Sequence, residues 1–326
     1  MRRTTGTAEK DGTRGEGPLP AALSVLVGWN GLTLHTPDEW SPVAVSGEGR
    51  QGYVKVVGPD TRHLEVKWEQ PKGVVNVPQA LERYLDRLRK TARRSRMELV
   101  VRTKPAGLGR LRPDDQAPIA YTWEAAQKAV GCIWHCGHCG RLVIAEVVGE
   151  RDDDLSIARS ILAGIREHGE DDWITWSLYG LTISAPVGFT MEKQVLMTGR
   201  QQFQLRKGGA RLQADRWGLA ELALRGGSVR EWYEARERAA LSRYAYRVEE
   251  TVLRGHRAFR LVGRDRWWQA LLKLARVPAT LTWPCFFMQG YLWHCEASNR
   301  IYALIVEQSR RSTLLESVAA RVPCHA

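Results

Sequence analysis

The chain has 326 residues and a formal net charge of +12, with 44% hydrophobic and 26% charged residues. This length allows two ordinary cores, and the composition excludes a low-complexity or largely disordered chain. No apolar run reaches about 18 residues, so no membrane-spanning helix is expected.

The opening MRRTTGTAEKDGTRGEGPLP lacks the apolar stretch of a secretory signal. Residues 1–22 are therefore expected to be a disordered leader, and the protein to be cytoplasmic. Six cysteines are too sparse for a disulfide scaffold. Most of the thirteen tryptophans lie in apolar, strand-like segments, where core packing is their ordinary use.

The first ordered stretch alternates apolar and polar residues at Gly31–Leu34, Tyr53–Val57 and Leu64–Trp68, a period of two that predicts antiparallel strands. Asn76 with Pro78 in the first turn predicts a helix whose apolar stripe is Leu81, Tyr84, Leu85, Leu88 and Ala92. Strands are expected next at Glu98–Arg102, Ile119–Trp123, Val130–Cys136 and Arg141–Val148, the last two joined by the turn Gly137-His138-Cys139-Gly140. A closing helix carries Ala158, Ile161, Leu162 and Ile165 on one face, with Asp152, Asp153 and Asp154 at its start.

The second half repeats this order. Gly31-Leu-Thr-Leu with Pro37 and Trp40 corresponds to Gly180-Leu-Thr-Ile with Pro186 and Phe189, an offset of 149 that also relates Trp68 to Trp217 and Tyr84 to Tyr233. Trp134-His135-Cys136 with Arg141 corresponds to Trp293-His294-Cys295 with Arg300 at 159, and Ile161, Ile165 and His168 to Val318, Val322 and His325 at 157. Ser228 with Glu231 forms a capping box before the counterpart helix. Ordered blocks of this kind predict a tandem duplication: a first α+β repeat at 23–169 and a second at 173–326 with a helical insertion at 267–276. Each repeat is expected to be an antiparallel sheet covered by helices, an α/β/α sandwich.

The pattern Gly-Leu-x-aliphatic-x-x-Pro-x-x-aromatic feeding a hairpin, followed by this order of elements, resembles the PsbP-like fold of the extrinsic photosystem subunit and its non-photosynthetic relatives. The resemblance would cover residues 25–168 and 173–325, and it implies a binding or assembly protein rather than an enzyme. No functional residue carries over.

The densest chemistry is Cys132-Ile-Trp-His-Cys136-Gly-His138-Cys139-Gly140. Cys136 and Cys139 have the spacing of a zinc knuckle, and Cys132, His135, His138 or His168 would complete the four ligands of tetrahedral zinc. The same Cys-Gly-His-Cys also fits a thiol redox centre, which needs a helix N-terminus to lower the thiol pKa. A third reading is plain burial of small hydrophobes beside a glycine-rich turn, and it fits the second copy, where the turn is Glu296-Ala-Ser-Asn299. Cofactors are thus none, or zinc. Cys295 and His294 on a strand, with Cys324-His325 after the last helix, form a second cluster for which metal, disulfide and burial all stay open.

The net charge fits an anionic partner such as nucleic acid or an acidic protein, and equally a solvated arginine-rich surface. Candidate partner-binding residues are Arg89, Arg93 and Arg94 on the first helix, and Trp267 and Trp268 in the insertion. Arg200–Arg211 reads as a basic hairpin around Gly208-Gly209. There is no Gly-rich phosphate loop, Gly-x-Ser-x-Gly or His-Glu-x-x-His. The expected function is a non-catalytic binding or assembly protein for a macromolecular partner. The alternatives are a basic nucleic-acid-binding protein with a zinc knuckle, and a thiol oxidoreductase using Cys136 and Cys139.

Overall fold

The computed structural model describes residues 23–59, 61–105, 118–149, 155–169, 172–266 and 285–325. The expected leader, Asp152–Asp154 and the insertion with Trp267 and Trp268 lie outside these residues.

The first half runs β1 (Leu23–Trp29), β2 (Leu32–Pro37), β3 (Ser41–Ser46), β4 (Gln51–Val57), β5 (His63–Glu69), α1 (Val77–Arg94), β6 (Val100–Thr103), β7 (Ile119–Glu124), β8 (Lys128–His135), β9 (Leu142–Gly149) and α2 (Leu155–Gly164). The second half runs β10 (Trp173–Leu178), β11 (Leu181–Pro186), β12 (Thr190–Met197), β13 (Arg200–Lys207), β14 (Ala210–Gly218), α3 (Ala220–Leu224), α4 (Val229–Arg236), α5 (Arg238–Leu241), β15 (Tyr244–Leu253), β16 (His256–Asp265), β17 (Phe287–Cys295), β18 (Arg300–Gln308) and α6 (Leu314–Ala319). The fold is α+β and dominated by antiparallel strands. No described helix is long and apolar enough to cross a membrane.

Three sheets hold these strands. One seven-stranded sheet has the order β3-β4-β5-β9-β8-β7-β6, and the other has β12-β13-β14-β18-β17-β16-β15. Position by position, the two orders correspond. The remaining hairpins join across the halves in a four-stranded sheet, β11-β10-β1-β2. Both hairpins turn on a left-handed pair: Asn30-Gly31 at φ 51° and 85°, and Tyr179-Gly180 at 52° and 74°. Glycine in second place makes this turn cheap.

The halves are not separately cored. Val27, Leu34, Trp176 and Ile183 of the four-stranded sheet pack in one buried cluster with Val66, Trp134 and Val143 of the first half and Leu212, Trp293 and Leu304 of the second. Helices α2 and α6 add Ile161 and Val318 to the same cluster, and the residues just after them add Ile165 and Val322. The other faces are covered separately. Leu81, Tyr84 and Leu85 of α1 pack on Tyr121 and Ile133, whereas Val229 and Tyr233 of α4 pack on Trp217, Phe259 and Leu292. The expected α/β/α sandwich is therefore modified, because hairpin strands from both halves share the inner layer with α2 and α6.

The expected cap of α1 holds, whereas the capping box expected of Ser228 with Glu231 is met only by a Ser228 cap. Asn76 caps α1, its side chain accepting from the Gln79 N–H at 3.0 Å. Ser228 caps α4 by accepting from the Arg230 N–H at 3.2 Å.

One sequence correspondence fails in space. Trp68 faces the shared core, whereas Trp217 lies on the opposite face of its sheet, beneath α4. The buried inward pair Leu64 and Val66 corresponds to Leu212 and Ala214, an offset of 148 rather than 149. Since side chains alternate along a strand, this slip of one residue reverses the face.

Candidate functional site

Three segments meet at one end of the second seven-stranded sheet. Arg254 and Gly255, at φ 50° and 83°, make the two-residue β15–β16 turn that delivers His256 as the first residue of β16. Strand β17 ends at Cys295, which is fully buried. The β16–β17 register pairs Ala258 with Trp293, so stepping two residues further along each strand sets His256 across from Cys295. After α6, Val322 anchors the chain in the core and brings Cys324 and His325 to the same place.

The ligand-capable atoms of His256, Cys295, Cys324 and His325 all lie within 4.8 Å of one another. His325 Nδ1 is 3.3 Å from the Cys295 sulfur and 3.3 Å from the Cys324 sulfur, and His256 Nε2 is 3.2 Å from Cys324. The imidazole planes are 82° apart with ring centroids at 5.0 Å, so the rings converge by their nitrogens instead of stacking. The Tyr302 hydroxyl donates to the Cys324 carbonyl at 3.2 Å. Burial raises the Cys324 thiol above its ordinary pKa. Burial, reinforced by the neighbouring His325, lowers that of His256. His294 is not part of the cluster; it lines the adjacent groove.

The corresponding end of the first sheet holds the Cys-Gly-His-Cys turn. Gly140, at φ 69°, closes the turn by donating its N–H to the Cys136 carbonyl at 2.9 Å. Gln70 holds the Cys139 carbonyl at 2.6 Å. The ligand atoms of Cys136, Glu167 and His168 come within 4.8 Å of one another. The His138 ring lies 4.5 Å from that of His168.

Of the ligands expected here, Cys132 packs instead in the shared core with Trp134 and Val143. Residues four apart on a strand are separated by about 13 Å, too far to share one ion. Burial pushes the Cys136 thiol up to about 12, whereas an attacking thiolate needs a lowered pKa.

Beside the first of these clusters, α4 and the strand ends enclose a solvent-open groove of about 1020 Å³. Glu231, Glu234, Glu250 and Glu296 line it together with Arg230 and Arg257, over Phe259. Arg257 holds Glu250 through contacts of 3.0 and 3.2 Å, and Arg230 lies 3.4 Å from Glu234.

No residue of the basic face of α1 belongs to either cluster. Arg89 is paired with Asp86 at 2.8 Å and Glu82 at 3.5 Å, while Arg93 and Arg94 sit exposed in the last turn. There, cations also complement the negative end of the helix dipole.

Two cluster members were visible as an adjacent Cys324-His325 pair, and Cys295 as a strand end. His256 was missed, because it has no fixed sequence spacing to the others. The Arg254-Gly255 turn marks His256 as the first residue of β16, whereas the β16–β17 register that opposes it to Cys295 has no local signal.

No protein-family model and no curated protein matches the chain. Among solved structures, it is similar to the immunity protein TplEi of T6SS from Pseudomonas aeruginosa complexed with "L" peptide, at 10% identity over 88% of each chain and a TM-score of 0.33. The apo structure of the same immunity protein gives 11% identity, 88% of each chain and a TM-score of 0.31. Likeness at this level carries no argument about function.

Proposed function

We propose that this is a non-catalytic, cytoplasmic binding protein of two tandem PsbP-like units, which holds a segment of a macromolecular partner in the groove of its second half. The groove carries the reading. It is about 1020 Å³ and open to solvent, which suits an extended segment of a larger partner, whereas small-molecule sites usually enclose most of their ligand.

Four carboxylates face two guanidiniums there, so the groove favours a cationic segment although the chain as a whole carries +12. An anionic partner, as the overall charge suggests, would instead meet Arg93 and Arg94. The tandem part of the reading is supported by the matching strand orders of the two seven-stranded sheets and by the matching Asn30-Gly31 and Tyr179-Gly180 turns.

The test is photocrosslinking in the producing cell from a reactive residue placed at Ala297 on the groove wall. A discrete adduct is expected, and it should disappear when Glu231→Lys and Glu296→Lys are combined in a variant with an unchanged circular dichroism spectrum. An adduct of equal yield in the charge-reversed protein would overturn the reading. So would steady turnover of a small substrate by the purified chain.

A further inference from the structure

The geometry points to a structural zinc site of Cys₂His₂ type formed by His256, Cys295, Cys324 and His325. This inference does not rest on the partner proposed for the groove, although His256 also lines that groove.

Three features carry it. The first is the match of distances. Tetrahedral zinc with bonds of about 2.3 Å to sulfur and about 2.0–2.1 Å to nitrogen sets S···N separations near 3.5 Å. The observed contacts are 3.2, 3.3 and 3.3 Å, and all four donor atoms fall within 4.8 Å of one another. A small radial adjustment would admit the ion.

The second is convergence. His325 Nδ1 faces both sulfurs at the same 3.3 Å, yet one ring nitrogen has a single lone pair or a single proton to share. Ordinary hydrogen bonding therefore uses only one of those contacts, whereas a central cation uses every donor. The third is the surrounding support. The Tyr302 hydroxyl donates to the Cys324 carbonyl at 3.2 Å and so holds the segment that carries two of the ligands.

Binding converts two thiols to thiolates and releases two protons, so Zn²⁺ with two thiolates and two neutral imidazoles has no net charge. A neutral centre avoids the large cost of burying an unpaired ion. With four protein ligands no coordination position is left for substrate, which makes the site structural and not catalytic. It ties the β15–β16 turn, the end of β17 and the segment after α6 into one knot. The ligands at 256, 295 and 324–325 thus join parts of the chain that no disulfide links among the described residues.

The first half is built differently. Cys136 and His168 correspond in sequence to Cys295 and His325, and among the described residues Glu167 is the one further group that meets them. The inferred ion belongs to the second half.

The intact chain, loaded with Zn(II) alone and dialysed against metal-free buffer, is assayed for zinc per chain. The combination Cys295→Ser and Cys324→Ser should hold one zinc fewer than the unsubstituted protein, while Cys136→Ser with Cys139→Ser should keep that zinc. Because losing ligands can unfold the domain, a second variant preserves the ligand count. In the cobalt-substituted protein, His256→Cys should retain the tetrahedral absorption and raise the thiolate-to-cobalt charge-transfer intensity by about half, as three sulfurs replace two. Equal zinc in the unsubstituted and Cys295/Cys324 proteins would overturn the assignment, as would loss of the ion in the Cys136/Cys139 variant. An unchanged charge-transfer band in His256→Cys, or a native mass short by the two hydrogens of a Cys295–Cys324 disulfide, would do the same.

Discussion

Tyr302 donates its hydroxyl hydrogen to the carbonyl of Cys324 at 3.2 Å while its ring stacks on Trp293, with centroids 5.1 Å apart and planes 9° apart. Trp293 and Tyr302 are directly opposed on β17 and β18. One cross-strand aromatic pair therefore braces the last segment of the described chain against the sheet, from a buried position. The brace acts on the backbone of a cluster residue and leaves its side chain free to face His256 and His325.

Tyr302→Phe keeps the stacked ring and removes only the hydroxyl. The buried Cys324 carbonyl then loses that donor, at an expected cost of about 1 kcal/mol. Urea unfolding should show a lower midpoint with an unchanged m-value. An unaltered midpoint would mean that the hydroxyl contributes nothing to holding this segment.

A buried carboxylate offers a sharper test in the first half. Glu146 accepts from the Tyr121 hydroxyl at 2.7 Å and the Trp123 indole N–H at 3.1 Å. Tyr121→Phe removes the shorter of these bonds to a charged acceptor, so a loss of about 1.5–3 kcal/mol is expected. Combining it with Glu146→Gln should recover part of the loss, because the residual charge is gone. Additive losses in the double variant would show that the two side chains are not coupled.

The pH dependence of one surface pair has a definite sign. Arg211 binds Glu192 through contacts of 2.7 and 3.1 Å and holds its carboxyl below the usual value of 4.5. A depressed carboxylate pKa stabilises the fold above the unfolded-state pKa, and that stability is lost as pH falls through the folded-state value. Both side chains are part-exposed, so screening limits the effect to about 0.5 kcal/mol. Glu192→Gln should be that much less stable than the unsubstituted protein at neutral pH, and the gap should close in strong acid or in about 1 M salt. A gap that persists in strong acid would assign the effect to packing.

The joint between the halves depends on a missing side chain. Gly28 of β1 pairs with Ser177 of β10, and a Cβ at Gly28 would lie 3.1 Å from both the Ser177 nitrogen and the Thr175 carbonyl oxygen. These are backbone atoms that cannot swing aside. Gly28→Val should therefore cost about 1–3 kcal/mol by overpacking, and amides of β1 and β10 should exchange faster together. Unchanged protection of both strands would show that the joint tolerates the branch.

Much of the local structure was legible from the residues. The α1 cap at Asn76 and its stripe Leu81, Tyr84 and Leu85 came out as expected, and so did the glycine-centred hairpins. These follow from rules acting over a few residues: φ preferences, capping and the 3.6- and 2-residue periods.

The misreadings share one cause. Trp68 and Trp217 align in the string but face opposite ways, because a slip of one residue changes no composition and yet inverts a pleat. Cys132 and Cys136 share a strand face, but strand extension holds their thiols about 13 Å apart.

Chain order and residue chemistry thus set the elements, their caps and the hairpin turns, since each depends on neighbours within a few positions. The fusion of both halves around one core, the inward or outward sense of each tryptophan, and the meeting of His256 with Cys295, Cys324 and His325 come from long-range strand register and from the return of the chain after α6. Register is settled by packing among segments far apart in the chain, which no local pattern encodes.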